Sequence, residues 1–176
     1  MTAVDAPRHD AESFERAAVA RVGEAVPDAD LDALRASFDL IRAANRLVHQ
    51  LESDVHRPAG WTMAGFRVMF CVWVGDVLEP RDIARLSGLS RAAVSSVLNT
   101  LERDGLVERT RESEDRRLVT VRLTERGRRG VVAAYEHQNA VEQRFFATLD
   151  DTELARTTAA LASLLAAPRP AMSDDS

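Results

Sequence analysis

Lysine is absent from this chain, and all 23 basic residues are arginine. With so many alanines alongside, that bias reads as a coding preference and excludes no function. Other shortages exclude more. The single cysteine, Cys71, permits no internal disulfide and builds no thiolate metal site alone. Four histidines, His9, His49, His56 and His137, show no tight ligand spacing, so no metal is expected. Long apolar runs are missing too: the longest candidate, VMFCVWV from Val68 to Val74, falls well short of the roughly 18 residues of a membrane span. The opening MTAVDAPRHDAE lacks a basic start followed by an apolar block, which speaks against a secretory signal. A cytoplasmic protein with no membrane partner is the expectation. There is no phosphate-binding glycine loop, no nucleophile elbow and no His-Glu-x-x-His pattern, so neither enzyme activity nor a cofactor is expected.

What is present suits one core with appended helices. The chain has 176 residues, 45% of them hydrophobic, and a net charge of -5. That charge is unevenly spread. Between Pro80 and Gly130 there are 12 arginines and 8 acidic residues, a balance of +4, while the rest of the chain carries 11 arginines against 20 acidic residues, or -9. A basic middle between acidic flanks fits a centre that meets a polyanion, although a solvated uneven surface has the same signature.

Periodicity predicts a modest helix over residues 11–24, broken by VPDAD, and a longer amphipathic helix over residues 31–51. In the second, Leu34, Phe38, Ile41 and Val48 follow helical spacing, and Leu40, Ala44, Leu47 and Leu51 widen the stripe to about half the surface, which predicts burial on more than one side. After RPAG, a third helix is predicted over residues 62–75, with Thr62 as cap and nearly full burial.

The chain then changes character. EPRDIARLSG predicts a short helix entered through Pro80, with Ile83 and Leu86 inward and Gly88 in the turn. Ser90 caps the next helix, whose core stripe is Val94, Val97, Leu98 and Leu101, and Gly105 follows its end. Two helices joined by a tight glycine-containing turn are a helix-turn-helix candidate. The outward face of the second carries Arg91, Ala92, Ser95, Ser96 and Asn99. Small residues admit a close approach to a groove, Ser and Arg suit phosphate or base edges, and Asn can pair with adenine. A solvated helix face is the plain alternative. LVERT and LVTVRL predict two strands, with RESEDRR as the hairpin loop between them. Arg116 and Arg117 would sit at its tip, where the narrow minor groove favours arginine, and Asp115 can hold the Arg117 guanidinium.

The succession PRDIARLSGLSRAAVSSVLNTLERDGLVERTRESEDRRLVTVRLTERGR, about 50 residues, resembles the winged helix-turn-helix of the MarR family of bacterial transcriptional regulators. Its most specific parts are DRR before a strand and the LTERG that follows. The resemblance implies a mainly α fold with a small β-hairpin, in which the winged helix-turn-helix is flanked by N- and C-terminal dimerisation helices. It implies a homodimer on a pseudo-palindromic double-stranded operator, more often as a repressor. It carries Ser90, Arg91, Ala92, Ser95, Ser96 and Asn99 into the major groove and Arg117 into the minor groove, oriented by Asp115. The expected organisation is a disordered start (1–10), N-terminal helices (11–56), the DNA-binding domain (57–123), C-terminal dimerisation helices (124–167) and a disordered tail (168–176). In the C-terminal part, Leu154, Leu161, Leu164 and Leu165 need burial that a second subunit can provide, or else an intramolecular core.

Regulation is less directly written. Arg42, Arg46 and His49 share one helical edge and can present positive charge to a cleft. The family commonly binds phenolic or carboxylate effectors beside the DNA-binding lobe, with Trp61, Phe66, Arg67 and Trp73 as walls. The alternative is core aromatics and solvated arginines. Where the urate-responsive branch carries a tryptophan in its added N-terminal helix and an aspartate early in the third, this chain has Phe14 and Arg67, so urate is not the expected effector. A redox role for Cys71 competes with an inert buried thiol of raised pKa, which the apolar VMFCVWV context favours. A winged helix used for protein interaction, without specific DNA binding, is the different-class alternative.

Overall fold

The computed structural model describes residues 10–111 and 119–167, which divide into two units, one up to Gln50 and one from Leu51 onward. Asp115, Arg116 and Arg117, expected at the hairpin tip, lie outside the described residues, as do residues 1–9 and 168–176 of the termini expected to be disordered; Asp10 is described.

The first unit is a helix pair, α1 (Ala11–Ala25) and α2 (Leu31–Leu51). Asp10 begins α1 by accepting the Ser13 amide at 2.7 Å, and Asp30 accepts the Ala33 amide at 2.9 Å at the start of α2. Phe14 meets Phe38 edge to face at 6.3 Å, and Glu15 pairs with Arg42 at 2.9 Å. One thin helix cannot cover a stripe half a helix wide. Leu40, Ile41 and Val48 therefore remain exposed, against the expectation of burial on several sides.

In the second unit a π-helical turn (Glu52–His56) precedes α3 (Met63–Gly75), the most apolar helix. Two groups cap α3: Thr62 Oγ1 accepts the Gly65 amide at 3.0 Å, and the Glu52 carboxylate accepts the Met63 amide at 2.7 Å. Phe66, Val68, Met69 and Val72 are buried, and α3 packs against the helices and sheet that follow. Cys71 is half-buried rather than buried, because it stands on the flank of this helix.

The helix-turn-helix follows as α4 (Pro80–Ser87) and α5 (Arg91–Arg103), with Pro80 in the first turn of α4. Gly88 and Gly105 take φ of 69° and 67°, the left-handed conformation that the two helix ends require. Ile83 is buried as expected, but Leu86 is 52% exposed. In so short a helix the inward row is Ile83, Ala84 and Ser87, and Leu86 lies off it.

Strands β1 (Val77–Leu78), β2 (Val107–Arg111) and β3 (Val119–Leu123) form one antiparallel sheet in the order β1-β3-β2. The hairpin register pairs Val107 with Leu123 and Arg111 with Val119. Sequence pattern predicts only the hairpin; β1 is two residues long and has no room to show alternation. The chain continues into α6 (Glu125–Phe146), capped by Thr124, and α7 (Asp151–Ala166), opened by a reciprocal capping box between Asp150 and Glu153. No residue of α7 is buried, and Leu164 and Leu165 are 64% and 88% exposed. Among the described residues the architecture is seven α-helices with one small sheet, and no helix is long and apolar enough to cross a membrane.

Candidate nucleic-acid interface

The orientation of α5 is set from behind. Val94, Leu98 and Leu101 are buried, and α5 packs on α3, α4 and β2. Ser90 Oγ accepts the Ala93 amide at 3.1 Å and fixes where the helix begins. Arg67 of α3 donates to the carbonyl of Ser87 at the end of α4, bracing the turn between the two helices. Ser87 is itself buried.

With that side filled, Arg91, Ala92, Ser95, Ser96 and Asn99 are all exposed, as sequence spacing requires. Their neighbours are mostly committed. Arg81 pairs with Glu79 at 2.8 Å, Arg85 with Asp82 at 3.2 Å, Arg103 with Asp104 at 3.1 Å and Arg129 with Glu125 at 3.5 Å. Arg128 pairs with Asp76 at 3.2 Å, and Arg126 donates to the Asp104 carbonyl at 3.1 Å. Arg91, at the first turn of α5, has no such partner among the described residues. An unpaired guanidinium beside small hydroxyl-bearing side chains is suited to a polyanion.

Asn99 is less free than its exposure suggests. Arg109 Nη2 of β2 donates to Asn99 Oδ1 at 2.8 Å, and Arg109 Nε stands 3.5 Å from the Glu102 carboxylate. Sequence reasoning passed over Arg109. The available signal is its alternation with Val107, which turns an arginine toward the buried side of the strand.

The residues expected to form an effector cleft fall in both units. Arg42, Arg46 and His49 stand on α2, where Arg42 is engaged by Glu15 and, at 3.8 Å, by Asp39. Phe66 is a core residue, and Arg67 serves the helix-turn-helix. The aromatics form a continuous chain: His56 stacks on Phe66 at 4.6 Å, Phe66 meets Phe70 at 5.7 Å, and Phe70 meets Trp73 and Tyr135 at 5.6 and 5.5 Å. Trp61, half-buried, borders a cavity of about 370 Å³ between the loop before α3 and the first half of α6, reaching His137. Burial pushes the Cys71 thiol up from its ordinary value, an effect that Arg67 opposes.

Residues 61–119 match the family model described as the MarR family. The chain is also 31% identical over 128 residues to the uncharacterized HTH-type transcriptional regulator YwaE of Bacillus subtilis (strain 168), covering 73% of this chain and 75% of that protein. The chain belongs to the MarR family. It is a DNA-binding transcriptional regulator with a winged helix-turn-helix, and this family is not one of enzymes. MarR-type solved structures share the fold. BpsR of Bordetella bronchiseptica, whose DNA binding is regulated by 6-hydroxynicotinic acid, superposes with a TM-score of 0.70 at 23% identity, covering 74% of this chain and 98% of that one. A mutant MarR from E. coli complexed with operator DNA superposes with a TM-score of 0.68 at 21% identity, covering 82% and 97%.

Proposed function

We propose that this MarR-family regulator binds a pseudo-palindromic operator as a homodimer and represses until a small aromatic carboxylate or phenol releases it. The observation that carries this reading is the outward face of α5, where Arg91, Ser95, Ser96 and Asn99 stand exposed on a helix that buries Val94, Leu98 and Leu101 and half-buries Val97 on its other side. In the bound state this face enters the major groove, and Arg116 and Arg117 reach the minor groove with Asp115 orienting the second arginine. Two copies of α5 then lie roughly 34 Å apart, one turn of DNA.

The dimer reading is supported by uncovered apolar side chains at both ends of the chain, Ile41 and Val48 on α2 and Leu164 and Leu165 on α7. Helices α1, α2, α6 and α7 would serve as the dimerisation arms. The effector reading draws support from the cavity beside Trp61 and from BpsR, which responds to an aromatic carboxylate. Such an effector acts only by binding one spacing of the two winged lobes better than another. In that reading Arg42, Arg46, His49, Trp61 and Trp73 are the residues to vary first.

The test is a screen of aromatic carboxylates and phenols against the operator complex. Release of DNA by one of them, weakened by a Trp61→Ala substitution that leaves DNA affinity intact, is the expected result. A complex that no such compound weakens contradicts the effector reading.

A further inference from the structure

The contact between Asn99 and Arg109 has a chemical direction. A guanidinium donates and cannot accept, so the Asn99 atom facing Arg109 at 2.8 Å must be the carbonyl oxygen Oδ1. The amide is therefore not free to flip. Its Nδ2 hydrogens have no partner among the described residues, and Asn99 is exposed on the outward face of α5. Arg109 is held in turn. Its side chain is only 25% exposed, and its Nε is buried with the Glu102 carboxylate 3.5 Å away.

We propose that Arg109 is a positioning residue that sets Asn99 as a hydrogen-bond donor toward DNA, so that Asn99 selects a base with an acceptor edge, guanine first and thymine second. This rests on the operator-binding reading above. A free asparagine pairs with adenine by donating to N7 while accepting from N6; that pairing needs the oxygen whose direction Arg109 fixes and one of whose two lone pairs Arg109 already takes. Guanine presents two adjacent acceptors, O6 and N7, and thymine one, O4; adenine sets its N7 acceptor beside the N6 donor, which opposes a donor-only side chain, and cytosine presents a donor to a donor. The arginine thus converts a side chain that reads adenine into one that rejects donor edges. Glu102, 3.5 Å from Nε without a hydrogen bond to it, offsets the guanidinium's charge, which disfavours Arg109 as a phosphate contact.

The experiment measures binding of the full-length protein to operator duplexes varied one base pair at a time. The base pair read by Asn99 is the one at which Asn99→Ala abolishes discrimination. There the unsubstituted protein is expected to prefer guanine over cytosine by about tenfold or more, the size of one good base contact. Arg109→Met should shrink that preference and bring adenine level with guanine, with affinity for random DNA unchanged. Arg109→Lys, which still donates, should keep it. Asn99→Asp, an exposed change that leaves the fold untouched, presents only acceptors and should move the preference to cytosine. The inference is overturned if Arg109→Met keeps the original preference or weakens all duplexes equally, or if the unsubstituted protein prefers adenine or cytosine at that position. Failure of the unsubstituted protein to distinguish any operator from random DNA would instead overturn the operator-binding reading itself.

Discussion

The Cα of Gly127 lies against the carbonyl of Leu106, so close that a Cβ at this position would overlap the oxygen. The same carbonyl accepts the Thr124 amide at 3.1 Å, and Thr124 Oγ1 donates to the Gly105 carbonyl at 2.8 Å while accepting the Gly127 amide at 3.0 Å. The LTERG segment thereby ties the end of β3 to the residues that follow α5. An open helical Gly→Ala change is normally stabilising by up to about 1 kcal/mol. Here the sign should reverse. Gly127→Ala is expected to lower stability by about 1–3 kcal/mol, the range for overpacking, in urea unfolding. A midpoint equal to or above that of the unsubstituted protein would contradict the close approach.

Arg91 offers a test that separates affinity from specificity. Because no acid holds it among the described residues, Arg91→Ala should cost little stability. If it meets phosphate, the variant should bind operator and random DNA more weakly by a similar factor, and the slope of log affinity against log salt should fall by about 1. A loss confined to one base pair would mean that Arg91 reads a base instead.

His56 is fully buried, stacked on Phe66, and among the described residues neither ring nitrogen has a hydrogen-bond partner. Burial holds its pKa below the ordinary 6.5, with Glu52 opposing in the smaller sense. The unfolded chain then binds a proton that the folded chain refuses. Stability should be complete above pH 6.5 and decline as pH falls from 6.5 toward the lower folded value. His56→Phe should flatten that decline. Thermal melts of both proteins across this window decide it, and identical pH dependence in the two would remove His56 as the cause.

Cys71 bears on the redox alternative. A thiol whose pKa is raised by burial carries little thiolate near neutral pH, so it should react with iodoacetamide more slowly than a free cysteine. Cys71→Ser should bind DNA as the unsubstituted protein does, with and without peroxide. Peroxide that releases DNA from the unsubstituted protein but not from Cys71→Ser would revive redox sensing.

Much of this architecture was legible because its boundaries are written in local chemistry. Thr62, Ser90, Thr124 and Asp150 each cap a helix through their own side chain, Pro80 opens α4, and Gly88 closes it. The exposed face of α5 followed from the same periodicity that buried Val94, Leu98 and Leu101. Other features depend on tertiary neighbours. Strand β1 exists because β3 offers an edge to two residues, Leu86 is exposed because Ile83 and Ser87 take the inward row, and Arg109 matters because the sheet brings it to a side chain ten positions earlier. The stripe of α2 is as apolar as its spacing predicts, but Ile41 and Val48 are exposed, because spacing along one helix does not say how much of it its neighbours cover.

The measurement closest to the central claim is a titration of the purified protein against the intergenic DNA beside its own gene and against random DNA over a range of salt. The account predicts tight, sequence-selective binding by a dimer that weakens steeply as salt rises. Equally weak binding to both DNAs would contradict it and favour a winged helix that meets another protein.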